Sequence, residues 1–417
     1  MKLLLVTMYF PPAGGGGIQR PLKFATHLPA HGIETHVLAP DDPKWMHVDA
    51  ERQPPTQAWI HRARYLGPRS RRLADELHGR TGVDLLTRQA LSLSRRVLVP
   101  DENVTWNLTA IPTALRIVRQ EGIDVVLTTS PPNSVHLIGA AAKAAGGVRW
   151  VADLRDSIGA HPHRRVERAA VRAKEKVSEQ VARLVARQAD AIVGASEAIA
   201  EEARGLDPRG VVVPILNGAD FDDFAGLEYR RGDRFRITHT GSFFGRRDPR
   251  PFLTAFAAAE LDDAVARFVG DFRTSDRIWA GQLGLGHRLE LHEYVPRRDS
   301  LRLQRDSDAL LLLIPEAGGR GRGVLSGKVF EYLAAERPIL AAVPPDGAAA
   351  ELIEETGAGV VAAPGDVQAL RTALERLHAA WRAGTLDGTA LSDDDRERLG
   401  RGARVEELAE LLRSLAE

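Results

Sequence analysis

Short apolar runs alternate with longer stretches of helical period along most of the 417-residue chain. In the first half the runs are Leu3 to Val6, Glu34 to Leu38, Val125 to Thr128, Trp150 to Ala152 and Ala191 to Gly194. In the second half they are Phe235 to Thr240, Val265 to Val269, Leu289 to Leu291, Ala309 to Ile314, Pro338 to Val343 and Gly359 to Ala362. Runs this short and this apolar, separated by helical segments, predict strands buried on both faces, which means parallel sheet with crossover helices. Helices are expected over Leu22 to His31, closed by Gly32, and over Asn133 to Ala145. From Arg164 to Gln188, the residues Val166, Ala170, Ala173, Val177, Val181 and Leu184 recur at spacings of three and four, which marks one face of a long helix with arginines opposite.

The alternation breaks near Asn217-Gly218-Ala219-Asp220-Phe221-Asp222-Asp223-Phe224 and the polar stretch Tyr229 to Arg234, then resumes. Two α/β domains are therefore expected: residues 1–216, a linker at 217–234, and residues 235–400. The terminal segment 401–417, helical by pattern from Ala403 to Leu415, is expected to pack back on the first domain. Composition narrows the chemistry. There are 56 basic and 56 acidic residues, so net charge gives no argument for nucleic acid as a partner. Cysteine is absent, which removes disulfides, thiolate catalysis and cysteine-held metals. No apolar run approaches the roughly 18 residues of a membrane span, and the expectation is a soluble, cytoplasmic chain.

The segment Val324-Leu-Ser-Gly-Lys-Val-Phe-Glu-Tyr-Leu-Ala334 carries the most specific chemistry. A helix starting at Ser326-Gly327 frees backbone amides, its dipole favours an anion there, and Lys328 adds a full positive charge. Glu331, three residues on, lies on the neighbouring face, where a carboxylate can accept from sugar hydroxyls. Diphosphate beside ribose means a nucleotide. A P-loop would need glycine at Arg322 and Ser or Thr at Val329, so it is excluded. The run Gly14-Gly15-Gly16-Gly17 after Leu3 to Val6 suggests a dinucleotide fingerprint, but its third glycine falls at Gln19 and Pro11-Pro12 interrupt the turn. The structural alternative is an ordinary cap at Ser326, with Lys328 solvated and Glu331 as capping-box partner.

Several stretches in the right order resemble the retaining glycosyltransferases of the GT-B fold, in particular the GT4 family. They are Tyr9-Phe-Pro-Pro-Ala-Gly-Gly-Gly-Gly-Ile-Gln-Arg20, Val151-Ala-Asp-Leu-Arg-Asp156, Ser196, Asn217-Gly218, Asp220, His239-Thr-Gly-Ser-Phe-Phe-Gly-Arg-Arg-Asp-Pro249 and Ser326-Gly-Lys-Val-Phe-Glu-Tyr-Leu-Ala-Ala335. The wording is most similar to members that build bacterial surface polysaccharides, including aminosugar transferases of O-antigen assembly. The resemblance implies two Rossmann-like domains facing a cleft, with the nucleotide sugar held by the second. Two positions depart from the family pattern. Where a glutamate eight residues before Glu331 is associated with the donor sugar, this chain has Gly323, with Glu316 as a substitute in a glycine-rich loop expected to be mobile. Ser242 stands where many relatives have arginine, so Arg246 or Arg247 must supply that cation.

The reading that follows is transfer of a hexose or N-acetylhexosamine from a UDP- or GDP-sugar to a lipid-linked or cell-envelope glycan. Lys328, Arg246 or Arg247, and the amides at Ser326 and Gly327 would stabilise the leaving diphosphate, with no metal or other cofactor. Gly15, Gly16, Gly241 and Arg20 would approach the nucleotide sugar, and Glu331 its ribose. Asp156, or else Asp153, would take or orient the acceptor's proton; alternatively Asp153 pairs structurally with Arg155. His161 and His163 are secondary candidates. Asp393-Asp394-Asp395 reads as solvated rather than metal-binding. Arginines at 62, 64, 69, 71, 72, 95 and 96, with the arginine face of the long helix, form a basic surface suited to the inner face of an anionic membrane, or simply to water. The same two-lobed fold also serves nucleotide-sugar 2-epimerases, and a non-catalytic binding subunit is the remaining alternative.

Overall fold

The computed structural model describes residues 1–42, 47–67, 98–157, 169–243 and 246–416. It divides into two units, the first taking the described residues up to 217 together with 402–416 and the second taking 218–401. The first unit holds β1 (Lys2–Thr7), β2 (Glu34–Pro40), β3 (Trp59–Ala63), β4 (Val125–Thr129), β5 (Arg149–Leu154), β6 (Ala191–Gly194) and β7 (Val211–Pro214). They form one parallel sheet in the order β3-β2-β1-β4-β5-β6-β7. The second unit holds β8 (Phe235–Thr240), β9 (Ala264–Val269), β10 (Leu289–His292), β11 (Ala309–Leu313), β12 (Ile339–Ala342) and β13 (Gly359–Ala362). These are also all parallel, in the order β10-β9-β8-β11-β12-β13. This is the GT-B architecture, two Rossmann-like sheets on one chain.

The period of two in each strand explains how both faces are covered. Leu3 and Leu5 of β1 join a core with Leu22, Phe24 and Ala25 of the helix Gln19–His27. Leu4 and Val6 point the other way, into a core with Trp106, Ala110 and Ala114, the last two from the helix Asn107–Glu121. In the second unit Ile237, Ala266, Phe268, Leu311 and Leu340 share a core with Phe252, Leu253 and Phe256 on one helix and Leu370, Leu374 and Leu377 on another. In each unit the strand order reverses beside its first strand, between β1 and β4 and between β8 and β11. Crossover helices there leave on opposite faces, which opens a crevice at the carboxyl ends of those strands.

The terminal helix Arg401–Ala416 places Val405, Leu408, Ala409 and Leu412 in the core that contains Leu3, Leu5 and Val37. The chain thus returns to the unit it began in. The two crossing points run side by side: Ala219 N–H donates to Leu399 C=O at 2.7 Å, Arg401 N–H donates to Ala219 C=O at 2.8 Å, and Arg401 pairs with Asp220 at 3.0 Å. Residues 218–234, read from sequence as linker, cluster with the second unit. There the Tyr229 hydroxyl donates to Asp308, and Arg230 N–H donates to Asp306 at 3.2 Å.

Leu408 is fully buried in this returning helix. Leu408→Ala removes apolar contacts at a site walled by β-sheet, and is expected to lower unfolding free energy by about 2–5 kcal/mol. Urea denaturation of the two proteins side by side checks this, and an unchanged midpoint would contradict the assigned packing.

Candidate functional site

In the second unit the crevice between β8 and β11 is where the sequence-selected residues meet. The helix Gly327–Ala335 starts there, preceded by Ser326 in extended conformation (φ −70°, ψ 155°). The Ser326 side chain makes no capping hydrogen bond, although its carbonyl accepts from Val329 N–H at 3.0 Å. The capping alternative raised by the sequence therefore fails, and the first-turn amides are left without a side-chain cap. Gly327 is exposed, while Lys328 and Glu331 are half-buried.

Gly241 follows β8 with φ +130°, and a Cβ there would lie 2.3 Å from Lys328 Nζ. Glycine is required on both counts: the backbone conformation is closed to L side chains, and the lysine ammonium occupies the space a side chain would take. Gly270, after β9, has φ +126° and no room for a Cβ for the same kind of reason, since Gly241's backbone carbonyl carbon would be 2.7 Å away. Burial pulls the Lys328 ammonium down to about 8, Arg247 adds to the shift, and Glu331 partly opposes it. Burial likewise lowers Arg247 to about 10. Arg247 Nη1 donates to Ser242 C=O at 2.9 Å, and its own carbonyl accepts from Arg273 at 2.8 Å. Arg273 and Arg250 both grip the buried Asp276. Arg246, by contrast, is half-exposed, and among the described residues it makes no hydrogen bond or ion pair.

Three further residues complete this site: His239, which the sequence analysis quoted without a role, and Arg297 and Gln304, which it passed over. His239, fully buried on β8, donates from Nδ1 to Leu311 C=O at 2.8 Å. That leaves Nε2 as a bare acceptor with no partner among the described residues. Burial, with Lys328 and Arg247 nearby, holds its pKa well below 6.5, so the ring is neutral at pH 7. Glu331 is flanked by Arg297 on one oxygen and by Gln304 Nε2, 2.6 Å away, on the other. Burial alone would raise Glu331, but Arg297 and Gln304 outweigh it and the carboxylate stays ionised. No local motif announces Arg297 or Gln304. They lie on the helix Arg297–Arg305, which the sequence analysis did not assign.

The glycine-rich loop before this helix has a defined course. Gly321 N–H donates to Glu316 C=O at 3.1 Å, and Ala348 N–H donates to Arg322 C=O at 2.8 Å. The second of these bonds joins the loop, expected from its glycines to be mobile, to the start of the helix Ala348–Glu355. Glu316 turns toward Arg322, at 3.8 Å.

In the first unit the selected residues gather at the carboxyl ends of β1 and β5. Gly15 and Gly16 are exposed with open space around them, and Gly15 has φ +87°. Arg20 departs from the expectation of a nucleotide-sugar contact. It is 1% exposed, and donates to both oxygens of the equally buried Asp153 at 2.7–3.0 Å and to Leu216 C=O at 2.8 Å. Asp153 also accepts from Thr129 Oγ1 at 2.6 Å. Its structural partner is thus Arg20 rather than Arg155, and a carboxylate so engaged is closed to acid–base work. Arg155 instead donates to Gly17 C=O at 2.7 Å, tying the glycine loop to β5. Asp156, two residues beyond β5, is half-buried.

His161, His163 and the arginines at 69, 71, 72, 95 and 96 lie outside the described residues. Arg62 donates to the carbonyls of Pro11 and Pro40, a structural role, whereas Arg172, Arg183 and Arg187 are exposed on the helix Ala169–Gln188. Asp393–Asp395 forms the first turn of a short helix capped by Ser392. No helix among the described residues is long and apolar enough to cross a membrane.

Residues 15–218 match the family described as glycosyl transferase 4-like domain, and residues 234–380 match glycosyl transferases group 1. No curated protein matches the chain. Among solved structures, sucrose-phosphate synthase from Thermosynechococcus elongatus is 17% identical with TM-score 0.66, covering 99% of this chain and 98% of that one. HepE from Anabaena in complex with UDP-glucose is 16% identical with TM-score 0.64, over 99% and 100%. A structure described as a UDP-N-acetylglucosamine 2-epimerase from Listeria monocytogenes is 13% identical with TM-score 0.55, over 99% and 96%. A synthase and an epimerase both appear among these neighbours, all at 17% identity or below, so the likeness carries the fold alone.

Arg20→Met would strand the buried Asp153 carboxylate, and is expected to destabilise the chain by about 3–5 kcal/mol. Arg20→Met combined with Asp153→Leu should recover most of that loss. Thermal denaturation of the single and double variants checks both statements; a single variant as stable as the parent would refute the structural role.

Proposed function

We propose that this chain, whose two halves are glycosyltransferase-family domains, is a retaining enzyme that moves a hexose or N-acetylhexosamine from a nucleoside-diphosphate sugar to a lipid-linked or cell-envelope glycan. The observation that carries the reading is the half-buried Lys328, its ammonium lying over Gly241 at an uncapped helix start in the β8–β11 crevice. Cleavage of the donor's anomeric bond leaves negative charge on the diphosphate and positive charge on the sugar ring. Lys328, Arg247 and the amides at Ser326 and Gly327 are arranged to meet the first, with the unpaired Arg246 able to swing to the same anion. Fixed donors of this kind typically contribute about 3 kcal/mol each to barrier lowering. Glu331 accepts from the ribose. Because these side-chain cations neutralise the leaving group, transfer is expected to persist in EDTA.

Asp156 takes or orients the proton of the acceptor hydroxyl, Asp153 being held by Arg20. The open glycines 15 and 16 allow a phosphate or an acceptor to approach the backbone. The exposed arginines of the helix Ala169–Gln188 favour an acceptor on an anionic membrane surface, so we place the protein at the cytoplasmic face.

Two outcomes follow. Lys328→Ala and Glu331→Ala should each cut transfer from the accepted donor by about a hundredfold or more, the loss expected for one preorganised contact. Full activity in both would defeat the assignment, and an isomerised sugar formed without acceptor would assign epimerase chemistry instead. The second outcome concerns pH. Burial lowers Lys328 to about 8. A bound diphosphate raises that value, so binding takes up a proton at alkaline pH, and affinity weakens as pH climbs past 8. Calorimetry of UDP binding at pH 9 in buffers of different ionisation enthalpy reads this uptake. Lys328→Met should abolish it, and uptake unchanged in that variant would exclude Lys328 as the titrating group.

A further inference from the structure

The Glu331 carboxylate is already engaged on both oxygens before any ligand arrives. Arg297 Nη1 donates to Oε2, and Gln304 Nε2 donates to Oε1 at 2.6 Å. The orientation of the Gln304 amide follows from its neighbour, since an ionised carboxylate only accepts. Gln304 is fully buried, and its Nε2 also reaches Thr240 Oγ1 at 3.0 Å, at the end of β8. Thr240 N–H in turn donates to the Tyr332 hydroxyl at 2.9 Å, on the same helix as Glu331. Arg297 is anchored from behind by Asp223, which accepts from Nε at 3.2 Å and from Nη2 at 2.9 Å. Asp223 belongs to the short helical turn Phe221–Phe224, just past the point where the chain enters the second unit.

An ionised carboxylate offers about four lone-pair directions. Two are taken here, one on each oxygen. The side chain keeps 19% of its surface exposed, so the remaining pair is not sealed from ligand. Ribose presents two vicinal hydroxyls, each a donor, and a carboxylate with one free lone pair per oxygen is the matching acceptor. Freed of its two partners, the same group would rotate among several rotamers and lose that match.

We propose that Arg297 and Gln304 are positioning residues that fix the Glu331 carboxylate for both ribose hydroxyls of the nucleotide, and that Asp223 fixes Arg297 for this task. This rests on the reading of Glu331 as the ribose contact. The two residues need not touch the nucleotide. Their effect is on discrimination between ribose and deoxyribose, not on diphosphate affinity as such. On this reading the network sets the enzyme's preference for ribonucleotide carriers.

The experiment measures Kd for UDP, GDP and their 2′-deoxy forms by calorimetry on the full chain and on Glu331→Gln, Arg297→Met, Arg297→Lys and Gln304→Met. For the parent, the ribo form of the bound nucleotide should bind about tenfold tighter than the deoxy form, the size of a hydrogen bond to a charged group. That ratio should fall toward one in Glu331→Gln, Arg297→Met and Gln304→Met, with an intermediate value in Arg297→Lys, whose single ammonium cannot bridge Asp223 and Glu331. A purely structural role would lower Tm and leave the ratio in the folded protein unchanged, which overturns the proposal. Should Arg297→Met fail to fold, Gln304→Met and Arg297→Lys decide the matter, because neither strands a charge. If neither UDP nor GDP binds the parent, or if Glu331→Gln keeps the parental ratio, the ribose reading itself falls and the positioning claim with it. If Glu331→Gln loses the ratio while the Arg297 and Gln304 variants keep it, the ribose reading stands and only the positioning claim is refuted.

Discussion

The second unit depends on the missing side chain of Gly241. Its φ of +130° and the 2.3 Å that would separate a Cβ from Lys328 Nζ let the lysine lie across the end of β8 instead of out in solvent. The same absence of side chains lets the loops after β8 and β9 close on each other at Gly241 and Gly270. The ammonium is thereby trapped at a topological switch point, beside the amides of a helix start. Position, charge and dipole converge there because one residue has no Cβ.

The two units treat buried charge in opposite ways. In the first, Arg20 and Asp153 neutralise each other, with Thr129 and Leu216 taking up the remaining hydrogen-bonding capacity. Such a closed pair is a structural fastening between the helix after the glycine loop and the end of β5. In the second, burial pulls both Lys328 and Arg247 below their ordinary values, and the charge of Arg247 lowers Lys328 further. The neutral His239 beside them offers no counter-charge. Burying cations costs a fold stability, and that cost is tolerated where an incoming anion relieves it.

Strands buried on both faces were legible in the sequence because continuous apolar runs admit few other readings. β6, β8 and β13 match the runs residue for residue, and the others differ only at their ends. β3 and β7 were missed, both at an edge of the first sheet where burial is partial: Trp59 is 63% exposed. The helix start at Gly327 was legible because capping residues, glycine and lysine occur together. Arg20 misled because an arginine after a glycine loop has the same local signature whether it meets a ligand or a carboxylate 133 positions away. Arg297, Gln304 and Asp223 left no trace, since their roles arise from the pairing of β8 with β11, a long-range fact that no window of sequence contains.

The departure at Gly323 takes on a definite meaning in this setting. A carboxylate standing in for the one absent there would have to come from the neighbouring loop, and Glu316 is its acidic residue. Glu316 faces Arg322, whose guanidinium also meets Asp346 at 3.1 Å, while the Arg322 carbonyl secures the loop to Ala348. The loop is thus held by its own salt links, and its acid is turned toward an arginine rather than left as an isolated charge. The proposed nucleotide seat, Lys328 and Glu331 with the network behind them, is built on other elements: the helix Gly327–Ala335, the helix Arg297–Arg305 and the end of β8. On the proposed function, a change in the loop Glu316 to Gly323 would therefore leave the residues of the nucleotide seat in place.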